Sequence, residues 1–78
     1  MIKTRNRVTI LYGDCAYFDI YMIDIDNDII ELSDYNGLIV GTINTNNLED
    51  CEVVEYGDNE TISGTTTLKE LYNREEKQ

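Results

Sequence analysis

Asp24, Asp26 and Asp28 stand at alternate positions in the stretch "YMIDIDNDIIELSDYNG", residues 21–37. Carboxylates at that spacing open a calcium loop, where they meet a hard cation while a Gly at the sixth position turns the chain and a Glu at the twelfth closes the shell. Counted from Asp24, the sixth residue is Ile29 and the twelfth is Tyr35. The loop fails at both places. A looser divalent site built from Asp24, Asp26 and Glu31 lacks the backbone and loop oxygens that such sites add, so no metal is expected.

Other chemistry is scarcer still. The chain has no His, no nucleophile motif and no Gly-rich phosphate loop. Acidic pairs alone could serve a glycosidase, but a domain of 78 residues leaves little room for a concave pocket. Neither catalysis nor a cofactor is expected. Cys15 and Cys51 do not make a disulfide framework and are expected to be reduced.

What remains is charge and where it sits. Lys3, Arg5 and Arg7 open the chain, and Lys69, Arg74 and Lys77 near its end balance Glu70, Glu75 and Glu76. Between Val8 and Leu68 there are thirteen Asp and Glu and no basic residue, so the net charge of −10 divides as +3, −13 and 0. Such a body repels nucleic acid and attracts basic protein surfaces. The opening "KTRNR" is too weak, beside that body, to bind nucleic acid, and is expected to be a solvated arm.

The elements that position these charges follow from three turns. Asn36-Gly37 is a strong hairpin signal, and Asn27-Asp28 and Gly13-Asp14 are plausible two-residue loops. Two-residue loops at all three sites pair Tyr12 with Cys15, Ile10 with Tyr17, Ile25 with Ile30, Ile23 with Leu32, Leu32 with Gly41 and Ile30 with Ile43. In that register Val8, Ile10, Tyr12, Tyr17, Tyr21, Ile23, Ile25, Ile30, Leu32, Ile39 and Ile43 share one apolar face. Three separately chosen turns agreeing on one face is what a consistent sequence produces. Cys51 to Tyr56 adds a fifth strand after "NTNNLED", whose Leu48 could plug one end, and Ile62 could begin a further pairing. "TTLKELYNREEKQ" is helical, with Thr67 and Glu70 spaced as a capping box and Leu68, Leu71 and Tyr72 on one side.

The reading is thus mainly β: an antiparallel small barrel or rolled sheet of about five strands with a short C-terminal helix. It forms a single domain over 1–78, with a basic arm at 1–7, a body at 8–63, and a helix with a frayed tail at 66–78. Strand order and turn spacing in "CAYFDIYMIDIDN", "DIIELSDYNGLIVGTI", "NTNNL" and "CEVVEY", covering roughly residues 6–56, resemble an Sm-like or SH3-like small β-barrel. Members of those families often bind RNA or proteins, so the resemblance implies a binding fold. No apolar run approaches ~18 residues and the start lacks the apolar core of a signal peptide, so a soluble, cytoplasmic protein is expected.

The opposite face divides. Leu11, Ala16, Phe18, Ile20, Met22 and Val40 make an apolar zone, which Leu68, Leu71 and Tyr72 of the helix are expected to cover. Asp24, Asp26, Glu31, Ser33 and Thr42 make a polar, acidic zone in which Asp24 faces Glu31, an unfavourable pair.

Two functions compete. The first is an inhibitory binding protein that presents a DNA-like negative face, made by Asp24, Asp26, Asp28, Glu31, Glu49, Asp50, Glu52, Glu55 and Asp58 with Glu60 beside them, to the basic groove of a nucleic-acid-processing enzyme. Evenly spread, thirteen charges give one per roughly 370 Å² of surface against roughly 110 Å² on duplex DNA, so imitation requires the acids to share one lobe, free of cations folded back from the termini. In size and charge the chain is similar to acidic inhibitors of phages and mobile elements, including anti-restriction and anti-CRISPR proteins. The second is an SH3-like or Sm-like interaction module that docks or self-assembles, for instance as a homodimer, through Leu11, Phe18, Ile20, Met22 and Val40.

Overall fold

The computed structural model describes residues 1–76; the tail expected to fray includes 77 and 78, which lie outside the described residues. Alternating apolar residues around the Gly13-Asp14 turn produce a long hairpin of β1 (Ile2–Tyr12) and β2 (Cys15–Asp26). On one side β3 (Ile29–Ser33) and β4 (Ile39–Asn44) extend it, and on the other β5 (Cys51–Tyr56) and β6 (Ile62–Thr67). All neighbours are antiparallel, in one sheet of order β4-β3-β2-β1-β5-β6.

Of the small barrel or rolled sheet expected, barrel closure is not shown among the described residues. β4 and β6 are the two edges of an open sheet, and there are six strands where about five were expected. After β4 the chain leaves through a 3₁₀ turn at Leu48–Asp50 and rejoins the sheet beside β1, so β4 never meets a closing strand. Helix α1 (Leu68–Glu76) takes the place of closure by sinking Leu68 and Leu71 into the same core as Val8, Ile10, Ile23, Ile30, Ile43 and Val53. Leu48 packs against that core. The sheet is curled: the ring of Tyr17 in the first half of β2 occupies the space a side chain at Gly41 of β4 would need.

All six expected pairings are present, including Ile25 with Ile30 and Leu32 with Gly41. The third hairpin reaches its register by another route. Gly37, at φ 87°, donates its N–H to the Asp34 carbonyl at 3.0 Å while the Asp34 N–H donates to the Leu38 carbonyl at 2.9 Å, a three-residue loop with a glycine bulge. A second irregularity between Leu32 and Ser33 cancels the shift. Ile39, expected inside, is consequently opposite Ser33 and 56% exposed.

A second departure lies in β1 and β2. From Lys3 to Val8 the chain takes five steps while its partner takes two, from Met22 to Ile20. Nearer the turn, β2 carries an extra residue around Asp19, whose φ is 57°. A single inserted residue reverses which side chains face inward. Ile20 therefore lies in the core at 0% exposure, not on the outer face, whereas Tyr21 leaves the inner face and packs edge-on against Tyr35, ring centres 5.2 Å apart. The residues expected to form an arm are the first half of β1, with Ile2 buried opposite Ile23.

The cap of α1 follows the expected spacing. Thr67 Oγ1 accepts the Glu70 N–H at 3.2 Å, while the Glu70 carboxylate accepts from the Thr66 hydroxyl at 2.9 Å. The apolar side of the helix faces the inner core, so it does not cover the outer apolar zone as expected.

Candidate functional site

Asp24 and Asp26 extend from the second half of β2, which pairs Asp24 with Glu31 and Asp26 with Ile29; Asp28 sits in the intervening turn, where Asn27 has a φ of 57°. The β3–β4 pairing continues the row from Glu31 to Thr42. Asp24, Asp26, Asp28 and Glu31 are thus gathered at one end of the β2–β3 hairpin, and no cation pairs with them among the described residues. They do not assemble into a metal-binding group: among the described residues no three acids or cysteines come together for one.

Other acids of the expected face are neutralised by the termini. Lys69 Nζ lies 3.2 Å from Glu49, Arg74 Nη2 within 2.6 Å of Glu55, and Arg5 Nη2 3.6 Å from Asp58, which also accepts from Asn6. Arg7 is 3.9 Å from Asp19 and lies over the Tyr56 ring, 3.8 Å from its centre. The Arg74 guanidinium is held above its ordinary pKa chiefly by its hydrogen bond to Glu55. Four of the thirteen body acids are therefore ion-paired, leaving nine, of which Asp34 is occupied by the Asn36 and Leu38 N–H groups at 2.9 and 3.0 Å. The single lobe expected of Asp24, Asp26, Asp28, Glu31, Glu49, Asp50, Glu52, Glu55 and Asp58 is not formed free of terminal cations.

Their separation has a simple origin. Glu52 lies on the outer face of β5 between Leu11 and Thr67, on the far side of β1 from the hairpin acids. Glu55 faces the opposite way, inward beneath α1, because Val53 two residues earlier is buried there. Asp50 ends the 3₁₀ turn, whose start is capped by the Asn47 side chain accepting the Glu49 N–H at 3.2 Å.

The outer apolar zone survives in two parts. Leu11 is paired with Ala16, and beside them Phe18 is 65% exposed. With Ile20 withdrawn into the core, Met22 falls into a separate group with Tyr21, Tyr35 and Gly37. Val40 is 49% exposed on the edge strand, and Leu38 and Ile39 flank it. Sequence reading missed Tyr35, Leu38 and Ile39. The run from Tyr35 to Leu48, in which no residue is charged, was the available signal.

A concavity of about 390 Å³ lies between the bend of β1, the β5–β6 turn and α1. It is lined by the Arg5–Asp58 and Arg74–Glu55 pairs together with Glu75. Cys15 is exposed and Cys51 buried, both free; they pair with opposite sides of Tyr12, two strand spacings apart. Burial, and then the nearby Asp50 charge, raises the Cys51 thiol above its ordinary pKa. No helix of the described residues is long and apolar enough to cross a membrane.

Compared with protein-family models, with curated proteins and with solved structures, the chain shows no match.

Proposed function

We propose that the chain is a non-catalytic, cytoplasmic binding protein that inhibits a nucleic-acid-processing enzyme by setting the β2–β3 hairpin end against the enzyme's basic surface. One observation supports this above others: Asp24 and Glu31 face each other with Asp26 and Asp28 close by, while Arg5, Arg7, Lys69 and Arg74 are engaged elsewhere. Keeping like charges together costs stability unless a partner relieves it. Carboxylates two apart on a strand are separated by about 6.7 Å, a scale comparable to successive phosphates of a nucleic-acid backbone. The requirement for whole-lobe imitation of duplex DNA is not met, so the proposal rests on these four acids as a local electrostatic docking surface.

Association of this kind is fast and weakens as salt rises. The test is inhibition of a basic nuclease or glycosylase by the purified protein across ionic strength, with the D24N/E31Q pair as control. Salt-sensitive inhibition, reduced in the variant, is expected. Capture that is indifferent to salt and to both substitutions contradicts the proposal.

A second reading is favoured by the uncovered outer face. Phe18 and Val40 remain exposed because α1 packs on the other side of the sheet, which suits an apolar docking module. A salt-insensitive oligomer abolished by Phe18→Asp with the fold intact selects it. A monomer selects the acidic reading.

A further inference from the structure

β4 is an edge strand that carries no charge or proline and only one irregularity, near Val40 at its start. One of its sides is hydrogen-bonded to β3 and the other has no partner strand among the described residues. Natural edges are blunted with charges, proline or cover, because an unpaired row of N–H and C=O groups recruits another strand. From Tyr35 to Leu48 the sequence has neither a charge nor a proline. Leu38, Ile39 and Val40 at the start of this edge are 66%, 56% and 49% exposed. The other edge, β6, runs directly into α1 and lies against the 3₁₀ turn.

We infer that β4 accepts an extended segment of a basic partner as a seventh strand, with a Lys or Arg laid across Thr42 onto Glu31 and Asp24. The inference rests on the acidic-surface reading above and specifies the form of its partner. Thr42, Glu31 and Asp24 are consecutive cross-strand neighbours in one row of the outer face. Strands lie about 4.8 Å apart, so a residue added opposite Thr42 stands roughly 10 Å from Glu31 along that row. Thr42 is small and exposed, which leaves the path open. Two residues before Thr42 stands Val40, the extra residue of the β4 irregularity and 49% exposed, so the segment carries an apolar residue about two places from its cation. Main-chain pairing supplies affinity, and the alternate side chains supply selectivity.

A second copy of this chain fits the edge poorly. Its own β4 has no cation to place over Thr42, and its net charge of −10 opposes approach. The occupant is therefore a strand of a different, basic protein.

The test uses the full chain and two probes, monitored by backbone amide shifts at low ionic strength. One is a short peptide with Val and Lys at alternate positions separated by Thr. The other is the same peptide N-methylated on alternate amides, which keeps the charge but cannot extend a sheet. Expected is binding of the first at least roughly tenfold tighter than the second, with shifts along 39–44. Glu31→Gln should weaken it about threefold to fivefold and Thr42→Lys more, each with an unchanged circular dichroism spectrum. Equal binding of both peptides, with shifts confined to Asp24, Asp26, Asp28 and Glu31, overturns strand addition while leaving the acidic-surface reading standing. Shifts along 62–67 overturn the choice of edge. Binding of neither peptide overturns strand addition, and the inhibition assay then judges the acidic reading separately.

Discussion

Asp24 lies directly opposite Glu31 in the β2–β3 pair, both half-buried and neither ion-paired among the described residues. Like charges so placed repel, so replacing one of them relieves the fold. Asp24→Asn or Glu31→Gln should stabilise the protein by about 0.5 kcal/mol, raising Tm by roughly 2–4 °C at low salt. Thermal melts over a range of ionic strength check this. The gain should shrink as salt screens the pair.

The bulge at Asp19 makes an opposite pair of forecasts for neighbouring side chains. Ile20 is fully buried and Phe18 is 65% exposed, although plain alternation puts both on the same face. Ile20→Ala should cost about 2–5 kcal/mol as a core truncation, and Phe18→Ala within about 0.5 kcal/mol of nothing. Urea unfolding of the two variants decides it. Comparable effects at both positions would remove the bulge from the account.

Close packing of Tyr17 on Gly41 carries the curl of the sheet. A methyl group at Gly41 would meet the Tyr17 ring, so Gly41→Ala should destabilise by about 1–3 kcal/mol. Combining it with Tyr17→Leu should recover part of that loss, since the two positions are in direct contact. A double-mutant cycle with strictly additive costs would show that these residues do not meet.

What the sequence made legible was whatever depended on turn position and period. Ile25 with Ile30 and Ile10 with Tyr17 follow from short loops alone, and the Thr67 cap follows from its distance to Glu70. The fate of Ile20 was hidden because one inserted residue inverts a strand, and Asp19 in "YFDIY" looks like any other polar outward position. The helix presented a similar difficulty. Leu68 and Leu71 specify an apolar side, but two apolar sheet faces were open to it, and it packs on the inner one. The dispersal of the acids was out of reach for another reason: pairs such as Arg74–Glu55 join residues far apart in sequence, so they depend on where both termini return.

Alkaline pH should weaken the fold through Cys51. Its thiol is buried and its pKa raised above the ordinary 9.0, so the folded state keeps a proton that the unfolded chain releases. Stability is then fully present below that ordinary value and is lost as pH rises through the folded-state value. Tyr17, also raised above 10.0, chiefly by burial and then by Cys15 and Cys51, adds to the loss at higher pH. Urea midpoints between neutral and strongly alkaline pH should fall for the native protein. The early part of that fall should be flatter in Cys51→Ala.

The central claim is that the hairpin acids are free for a partner while Lys69, Arg74 and Arg5 hold Glu49, Glu55 and Asp58. Amide shifts during titration with an oligolysine at low ionic strength test it most directly. The account predicts the largest changes at Asp24, Asp26, Asp28 and Glu31, with little at Glu49, Glu55 and Asp58, where Lys69, Arg74 and Arg5 already sit. Changes of equal size at all of these acids, or centred on Glu55 and Asp58, would contradict it.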